Sequence, residues 1–433
     1  MPKRPEHTCG QRLTLAMLRP PTRIQHRMIQ PSSASYPWSL QAPIYAVAFF
    51  TGNLLPMISV VMPLWALELG AGPLIIGLII SSRQILVVTL SIHGGALQDR
   101  LGPRRVIMVL GLAGATAVGL IPVFAFIWAA IMLQMVSGFA ESTNWIGAQA
   151  LVGRLLKGQP VYAGRLTASA RIGGFIGPVL TGLSWEHFGP FAAFGFVALW
   201  IICGTFAAWF LPDEGSAEHN ETSKPTRTSD VMPKLSDYKT AFRLLLLPAV
   251  ALVIMATVMR QTGTGIQSSF YGVWLKEIGF TAGTIGFLIG FSSAIAAGFA
   301  LTVGPWSRRF ADHWVLLVMI VIAIVAIAIT PLLDTLALLI VAIAIRGFGQ
   351  GLNLPLMMSI ASRAVGIELQ GRVAALRISF NRFGGAIVPF AMGALAEVIG
   401  LEYAFYVIGA GGIVLVGFLA IWVASVPSFE DRH

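Results

Sequence analysis

Residues 94–106 read GGALQDRLGPRRV, and they hold four charged side chains within seven positions. Asp99 and Arg100 are followed by Arg104 and Arg105, in a chain of which only 11% of the residues are charged. Long uncharged stretches lie on both sides of the segment. This pattern indicates a short polar connection between two apolar elements.

The rest of the chain is too apolar for a soluble protein. It has 433 residues, of which 56% are hydrophobic, and its mean hydropathy is +0.78. A soluble domain needs more polar surface, whereas a membrane-spanning helix needs about 20 mostly apolar residues. Because lipid offers backbone amides no hydrogen-bond partner, we predict an all-α integral membrane protein. Its twelve predicted membrane-spanning helices, called spans 1 to 12, are residues 42–66, 73–93, 105–126, 127–151, 164–185, 190–211, 245–272, 281–303, 313–333, 336–361, 372–395 and 403–426.

The N-terminal tail and the cysteines point to no further site. Residues 1–41 are basic, rich in Ser and Pro, and lack the apolar core of a secretory signal, so we expect a disordered cytoplasmic arm. Met17 and Met28 are alternative starts within it. The two cysteines lie in the tail and inside a span, which indicates neither a disulfide nor a metal site.

The net charge of +10 is distributed by membrane side. If the N-terminus is cytoplasmic, 22 basic residues lie in cytoplasmic loops and tails, and only Lys276 lies in an outer loop. An asymmetry of this size follows the positive-inside rule and predicts that both termini are cytoplasmic. The basic charge therefore reflects topology, and we expect the bilayer rather than a nucleic acid as its partner.

The chain also matches itself at an offset of about 209 residues. The matching segments are WALELG at 65–70 with WLKEIG at 274–279, GFAESTN at 138–144 with GFGQGLN at 347–353, and RIGGFIGP at 171–178 with RFGGAIVP at 382–389. Glu186 and Gly189 align with Glu397 and Gly400. The repeat predicts two pseudo-symmetric six-helix bundles. They are residues 42–211 and 245–426, joined by a polar linker at 212–244 and followed by a C-terminal tail at 427–433.

Two motifs resemble those of the major facilitator superfamily over residues 42–426. The opening segment resembles its signature, a glycine followed by D-R-x-G-x-R-R between the second and third helices, at Gly95, Asp99, Arg100, Gly102, Arg104 and Arg105. Span 5 resembles its antiporter motif at Gly164, Gly173, Gly177, Pro178 and Gly182. Thr181 stands where a further glycine is usual.

The resemblance implies a monomeric carrier whose two bundles rock about a central cavity that opens alternately to each side. It implies that Asp99 locks the outward-facing state, with Arg154, Gly371 and Arg372 near its partners. In the family the span 5 motif is enriched among exporters, which favours efflux. For the glycines of span 5, close packing and gating remain equally open.

Six arginines lie inside the predicted spans, away from the span ends. A charge near the middle of a bilayer costs at least ~2.5–3.5 kcal/mol, and arginine does not lose its proton to avoid that cost. Glu141 on span 4 is the only acidic residue deep in a span, so it cannot neutralise all six. We therefore expect the arginines to face the interior, where they favour a substrate with carboxylate, phosphate or hydroxamate-like oxygens. They are Arg83, Arg171, Arg260, Arg346, Arg377 and Arg382.

The arginines differ in depth. Arg171 and Arg377 lie toward the cytoplasmic side, where helix ends or loop carbonyls are in reach. Arg382 is open to the same interpretation and is also a candidate for substrate binding or coupling. Arg83, Arg260 and Arg346 lie near the middle of their helices, which favours a substrate or an ion pair. The polar residues Asn53, Gln261 and Gln350 either line the cavity or form interhelical hydrogen bonds.

Two interpretations of Glu141 are open. It either pairs with an arginine or loads and releases a proton, in which case substrate and proton compete for the same arginine. The sequence departs from the family nearby, because Gln134 stands where many proton-coupled members carry an arginine, four residues before Gly138. That departure puts coupling by the family's route in doubt.

The function that these features favour is secondary active transport. The motifs G-x4-G-K-[ST] and H-E-x-x-H and a Cys/His cluster are missing from the sequence, so we expect no enzyme, no metal and no cofactor beyond an ion gradient. We predict export of a small anionic or oxygen-rich molecule, such as a drug-like compound or a siderophore, by proton antiport across a bacterial-type inner membrane. The alternatives are a carrier for uptake or exchange of an organic anion or phosphate ester and, less favoured, a non-transporting scaffold or receptor.

Overall fold

The computed structural model describes residues 36–52, 54–156, 159–212, 243–365 and 367–429. Most of the predicted N-terminal tail, nearly all of the linker at 212–244 and the candidate site residue Asn53 lie outside these ranges. Within them, every regular element is a helix. From Trp38 onward the chain forms one compact unit.

The first half contains spans 1 to 6. Span 1 consists of Trp38–Thr51 and Leu54–Glu68, span 2 of Pro73–Ser82 and Ile85–Leu101, span 3 of Pro103–Leu120 and span 4 of Ile127–Leu155, and Pro160–Trp209 contains spans 5 and 6. The first helix begins at Trp38, four residues before the predicted start of span 1 at residue 42.

The second half contains spans 7 to 12. Span 7 consists of Pro248–Ile266, the π-helix Gln267–Tyr271 and Gly272–Glu277, span 8 is Ala282–Ala300, span 9 is Asp312–Ala328, span 10 is Leu336–Ala364, span 11 is Ile367–Ile399 and span 12 is Leu401–Ser425. Short helical segments lie at Leu244–Leu246, Val303–Arg309, Thr330–Leu332 and Pro427–Phe429.

These helices confirm the twelve predicted spans. Nine helices in the described ranges are long and apolar enough to cross a membrane, and one of them contains both span 5 and span 6. Span 9 is apolar but shorter. Span 4 is long enough, but it carries polar residues, including Glu141. The protein is therefore a multi-pass membrane protein.

The turns at the ends of the spans repeat in the two halves. Among the described glycines with positive φ, Gly70 matches Gly279 and Gly189 matches Gly400, each pair at the offset of the sequence repeat. At positive φ, a residue with a Cβ atom is strained, whereas glycine is not. Gly189 divides the long helix into spans 5 and 6. The repeat in sequence is thus a repeat in backbone geometry.

The segment at 94–106 contains three glycines, Gly94, Gly95 and Gly102, and the backbone turns at the last of them. The helix of span 2 continues through Gly95 to Leu101, so Gly95 does not form the turn. Gly102 alone makes it, with φ of 79°, and Pro103 starts span 3. Proline suits the first helical position, where its missing N–H has no partner to lose.

The two halves pack against each other through spans 2 and 11 and through spans 5 and 8. A large buried apolar cluster contains side chains of both halves, such as Ile79 and Leu288. The outward surface is also apolar: Val109, Trp128 and Phe206 are 63–69% exposed. Large exposed apolar side chains on several spans fit contact with lipid rather than water.

Candidate functional site

Arg83 lies at the break between the two helices of span 2 and is 3% exposed. Its Nη1 donates to Gln134 Oε1 at 3.0 Å and to Ser137 Oγ at 2.8 Å. Its Nη2 forms an ion pair with Glu141 Oε2. We call these four residues the Arg83 cluster. Pairing satisfies a charge that would otherwise be costly to bury.

Glu141 also binds the backbone of span 1. Its Oε1 accepts hydrogen bonds from the N–H groups of Leu54 and Leu55, both at 3.1 Å. These N–H groups start the second helix of span 1, so they lack partners one turn earlier. The following residue is Pro56, which has no N–H to satisfy and whose ring disfavours a continuous helix. One carboxylate thus neutralises Arg83 and caps a half-helix.

The sequence of span 4 makes this arrangement possible. A Cβ atom added to Gly138 would lie 2.2 Å from the carbonyl oxygen of Arg83, so only glycine lets spans 2 and 4 approach here. Gln134 is fully buried and accepts from Arg83. Many proton-coupled members of the family carry an arginine at position 134. Here Arg83 of span 2 places a guanidinium next to that position instead.

A second polar cluster surrounds Arg346 on span 10, which is 1% exposed. Its Nη1 donates to Ser292 Oγ at 2.8 Å and to Gln350 Oε1 at 3.1 Å. Its Nη2 donates to the carbonyl oxygen of Gly263 at 3.2 Å. Gln350 Nε2 in turn donates to Thr264 Oγ1 at 3.4 Å. We call these five residues the Arg346 cluster, and all of its acceptors are neutral.

The two clusters are related by the internal repeat. At an offset of 209 residues, Arg83 corresponds to Ser292, Ser137 to Arg346, Glu141 to Gln350, and Leu54 and Leu55 to Gly263 and Thr264. The arginine–serine hydrogen bond is kept at 2.8 Å, but its donor and acceptor have exchanged helices. The carboxylate has become an amide. Sequence reasoning missed this equivalence, although extending the repeat to position 292 would have revealed it.

Two further arginines lie between the halves. Arg382 on span 11 donates from Nη2 to Ser142 Oγ at 3.0 Å and from Nη1 to Gln84 Oε1 at 3.5 Å, so it joins the second half to spans 4 and 2. Arg260 on span 7 donates to Gln261 Oε1 at 3.1 Å and to Asn381. Gln261 and Gln350 thus both form hydrogen bonds between side chains.

The intramembrane arginines interact electrostatically with one another. Arg260 lies within the field of Arg171 and Arg377, and also acts on Arg346. Arg382 lies within the fields of Glu141 and Arg83. Of the six arginines, Arg83 and Arg346 are buried and the other four are half-buried. In the described spans, the carboxylate placed among them is that of Glu141.

The predicted lock at the opening segment cannot be placed in the same way. The side chains of Gly95, Asp99 and Arg100 lie outside the described part of the chain, as do those of Gly371 and Arg372. Arg104 and Arg105 lie in the first turn of span 3. The role of Asp99 stays a prediction.

The span 5 glycines pack against two other helices. A Cβ atom on Gly173 would lie 2.0 Å from the carbonyl oxygen of Phe49, and one on Gly177 would lie 2.7 Å from Met57 Sδ, so both allow close contact with span 1. A Cβ atom on Gly182 would lie 2.2 Å from the carbonyl oxygen of Ala282 on span 8. A Cβ atom on Gly164, by contrast, would meet no atom within 4 Å.

The contact of span 5 with span 8 has an equivalent between spans 11 and 2. A Cβ atom on Gly286 would lie 2.2 Å from the carbonyl oxygen of Pro178, and one on Gly77 would lie 2.5 Å from that of Pro389. Both pairs match at the repeat offsets. We call the end of the bundle beyond these glycines, toward residues 70 and 279, the closed end.

A glutamate at each contact binds the opposite half at the closed end. Glu186 Oε2 accepts from the N–H of Gly283 at 3.0 Å, in the first turn of span 8. Glu397 Oε2 accepts from the N–H of Leu74 at 3.1 Å, in the first turn of span 2. Carboxylates are favoured at helix N-termini by free N–H groups and by the helix dipole. The two hydrogen bonds form an equivalent pair across the interface.

Comparison with known proteins agrees with this architecture. The family model described as Major Facilitator Superfamily matches residues 44–259 and 253–432. "Multidrug resistance protein MdtG" of Salmonella arizonae and of Salmonella typhi are each 21% identical over 409 residues, which cover 91% of this chain and 97% of the relative.

Solved structures show the same fold. The nucleoside transporter NupG, as a D323A mutant, is similar with a TM-score of 0.73 at 14% identity, covering 88% of this chain and 99% of that one. A POT family transporter in complex with a thioalcohol-conjugated peptide gives a TM-score of 0.69 at 14% identity, covering 90% and 96%. The chain belongs to the major facilitator superfamily and is a membrane transporter rather than an enzyme.

Proposed function

We propose that this protein is a secondary active transporter that exports small organic molecules carrying an anionic or oxygen-rich group. It works by alternating access as a monomer in a bacterial-type inner membrane, with the proton gradient as its energy source. The substrate class and the direction are supported by different observations.

The substrate class rests on the unbalanced positive charge between the halves. Arg260 on span 7 lies within the field of Arg171 on span 5 and of Arg377 on span 11, and its hydrogen-bond acceptors are neutral amide oxygens. A guanidinium holds carboxylate and phosphate oxygens through two parallel hydrogen bonds. An anionic substrate would supply the charge that these arginines lack.

Export is supported by the relatives and by span 5. The relatives are named multidrug resistance proteins, although they are only 21% identical to this chain. Gly173, Gly177 and Gly182 match the motif that the resemblance associates with exporters, and each allows close helix contact. If both termini are cytoplasmic, the closed end faces the outside, as it would in a carrier that receives its substrate from the cytoplasm.

A second candidate, uptake or exchange of an organic anion or phosphate ester, is supported by the ion pair at Arg83. Protonation of Glu141 removes the negative charge that occupies this arginine, so it makes the arginine available to an anion. Proton and anion then favour each other's binding instead of competing, which reverses the sign expected from the sequence. Cooperative binding favours movement of both in one direction.

Flux measurements in proteoliposomes test the proposal. Saturable uptake of radiolabelled benzoate or benzenesulfonate should be found, and Arg260→Gln should reduce it by about 10-fold or more, because a charged hydrogen-bond donor is lost. Arg309→Gln, which changes an exposed arginine at the end of a short helix, is the matched control and should leave flux unchanged. Saturable transport of organic cations alone would refute the anionic substrate, and no flux of either class would favour a scaffold.

Direction is tested in cells. Deletion of the gene should raise the internal level of the substrate if the protein exports it. A lower internal level would instead establish the uptake candidate.

A further inference from the structure

We propose that the anionic group of the substrate binds at the break in span 1, in the place that Glu141 now occupies. The site consists of Arg83, the N–H groups of Leu54 and Leu55, and Gln134. Its ligand is an oxyanion, a carboxylate or a tetrahedral anion such as a phosphonate or sulfonate. This inference rests on the proposed anionic substrate. It adds a location for the anionic group and a coupling rule, and that rule favours the uptake candidate over export by proton antiport.

The groups around Glu141 are those that bind anions in proteins. Arg83 donates to Glu141 Oε2, and two successive backbone N–H groups donate to its Oε1 at 3.1 Å. A guanidinium combined with the N-terminus of a helix binds phosphate and carboxylate groups of ligands in the same way. Glu141 therefore acts as an internal anion that fills the site while substrate is missing.

The site also has more donors than Glu141 can use. Gln134 is fully buried and its oxygen is bound by Arg83, but its Nε2 has no acceptor among the residues that the structure describes. Arg382 lies within the field of Glu141, and its buried Nε likewise has no acceptor in the described part of the chain. A buried donor left without a partner costs free energy. A tetrahedral anion, which has a third oxygen, would therefore satisfy more of these donors than a carboxylate would.

Two observations favour the Arg83 cluster over the Arg346 cluster as the site where a substrate replaces a group of the protein. They are the exposure of Glu141 and the difference in charge between the two clusters. The side chain of Glu141 retains 14% exposure, so it is not fully enclosed by the protein. The Arg346 cluster is equivalent in position, but Arg346 binds neutral oxygens that are part of the protein's own hydrogen-bond network. Only the first cluster holds a charged group that a substrate anion can replace.

Binding of the substrate and protonation of Glu141 are therefore linked. The charged groups that face this carboxylate are Arg83 from span 2 and Arg382 from span 11, together with the N–H groups of span 1. A proton bound by the carboxylate removes its charge, weakens these contacts and leaves the donors to the substrate.

Equilibrium binding to the purified full-length protein tests this inference. The probes are benzoate and benzenesulfonate, because both keep their charge between about pH 6 and about pH 8. The wild-type protein should bind them more tightly at the lower pH. Glu141→Gln should bind them about 10-fold more tightly at about pH 8 and lose most of the pH dependence, because the competing charge is gone. Glu402→Gln, which removes an exposed carboxylate bonded to Tyr406 on its own helix, is the control and should behave as wild type.

A second variant separates the site from general effects of charge. Arg83→Gln combined with Glu141→Gln leaves the net charge unchanged and no partner unpaired, and it should abolish probe binding in a protein that still elutes as a folded species. Equal affinity of wild type, Glu141→Gln and the double variant would refute the site at span 1 but leave an anion carrier intact. Binding of tetraphenylphosphonium without binding of either anion would refute both proposals.

Discussion

The glutamates at the closed end should control which conformation the transporter adopts. Glu186 and Glu397 each bind the N-terminus of a helix in the opposite half, at Gly283 and Leu74. Both carboxylates are exposed, so each contact is worth about 0.3–1 kcal/mol. Replacing either glutamate by glutamine should shift the equilibrium about 2–5-fold toward the state that is open at this end. The two contacts lie on different helix pairs, so their effects should add, and the double variant should shift it about 3–30-fold.

Electron–electron distance measurements between spin labels can test this shift. Labels at Phe188 and Val398, which are 78% and 81% exposed, report the separation of the halves at the closed end in a cysteine-free background. Each glutamine variant should increase the population with the longer distance. Glu402→Gln is again the matched control, because its carboxylate binds Tyr406 within one helix. A distribution that is unchanged in the double variant, or one that shifts equally in the control, would refute the reasoning.

Three further variants test other parts of the structure. Gly138→Ala should destabilise the protein and lower its melting temperature in detergent, because the new Cβ atom would lie 2.2 Å from the carbonyl oxygen of Arg83; Gly153→Ala on the same helix meets no atom within 4 Å and should be tolerated, and equal melting temperatures would contradict the packing argument. Gln350→Glu should give the second half the ion pair of the first and raise the melting temperature at neutral pH relative to acid pH, whereas a drop at neutral pH would show that the cluster cannot accept a charge. Asp99→Asn should nearly abolish transport in a protein that still folds and inserts, and normal flux would remove the predicted lock.

The spans and the repeat were predictable from sequence because they depend on local properties. A run of about 20 apolar residues identifies a span wherever it packs. The glycines at repeat positions, such as Gly70 and Gly279, mark turns that require positive φ. The sequence also predicts that the arginines inside the spans face the protein rather than lipid, because a charge in contact with lipid costs too much free energy.

The candidate site was only partly predictable because its contacts join distant segments. Arg83 and Glu141 were recognised as intramembrane charges, but their pairing depends on Gly138 letting spans 2 and 4 approach. The N–H groups that Glu141 binds are free only because span 1 breaks before Pro56. In the sequence, Gln134 stands where many proton-coupled members of the family carry an arginine. In the structure, the guanidinium beside Gln134 belongs to Arg83 on span 2. Spacing along the chain also could not show that a Cβ on Gly164 would meet no neighbour.

The difference between the two clusters limits how many protons the transporter can move in one cycle. The halves match in shape, but in the described spans only the first one places an ionisable acid at the equivalent position. If that acid is the switch, a full turnover has room for a single proton. The Arg346 cluster of the second half would then keep the same charge throughout the cycle, while the Arg83 cluster of the first half gains and loses one proton.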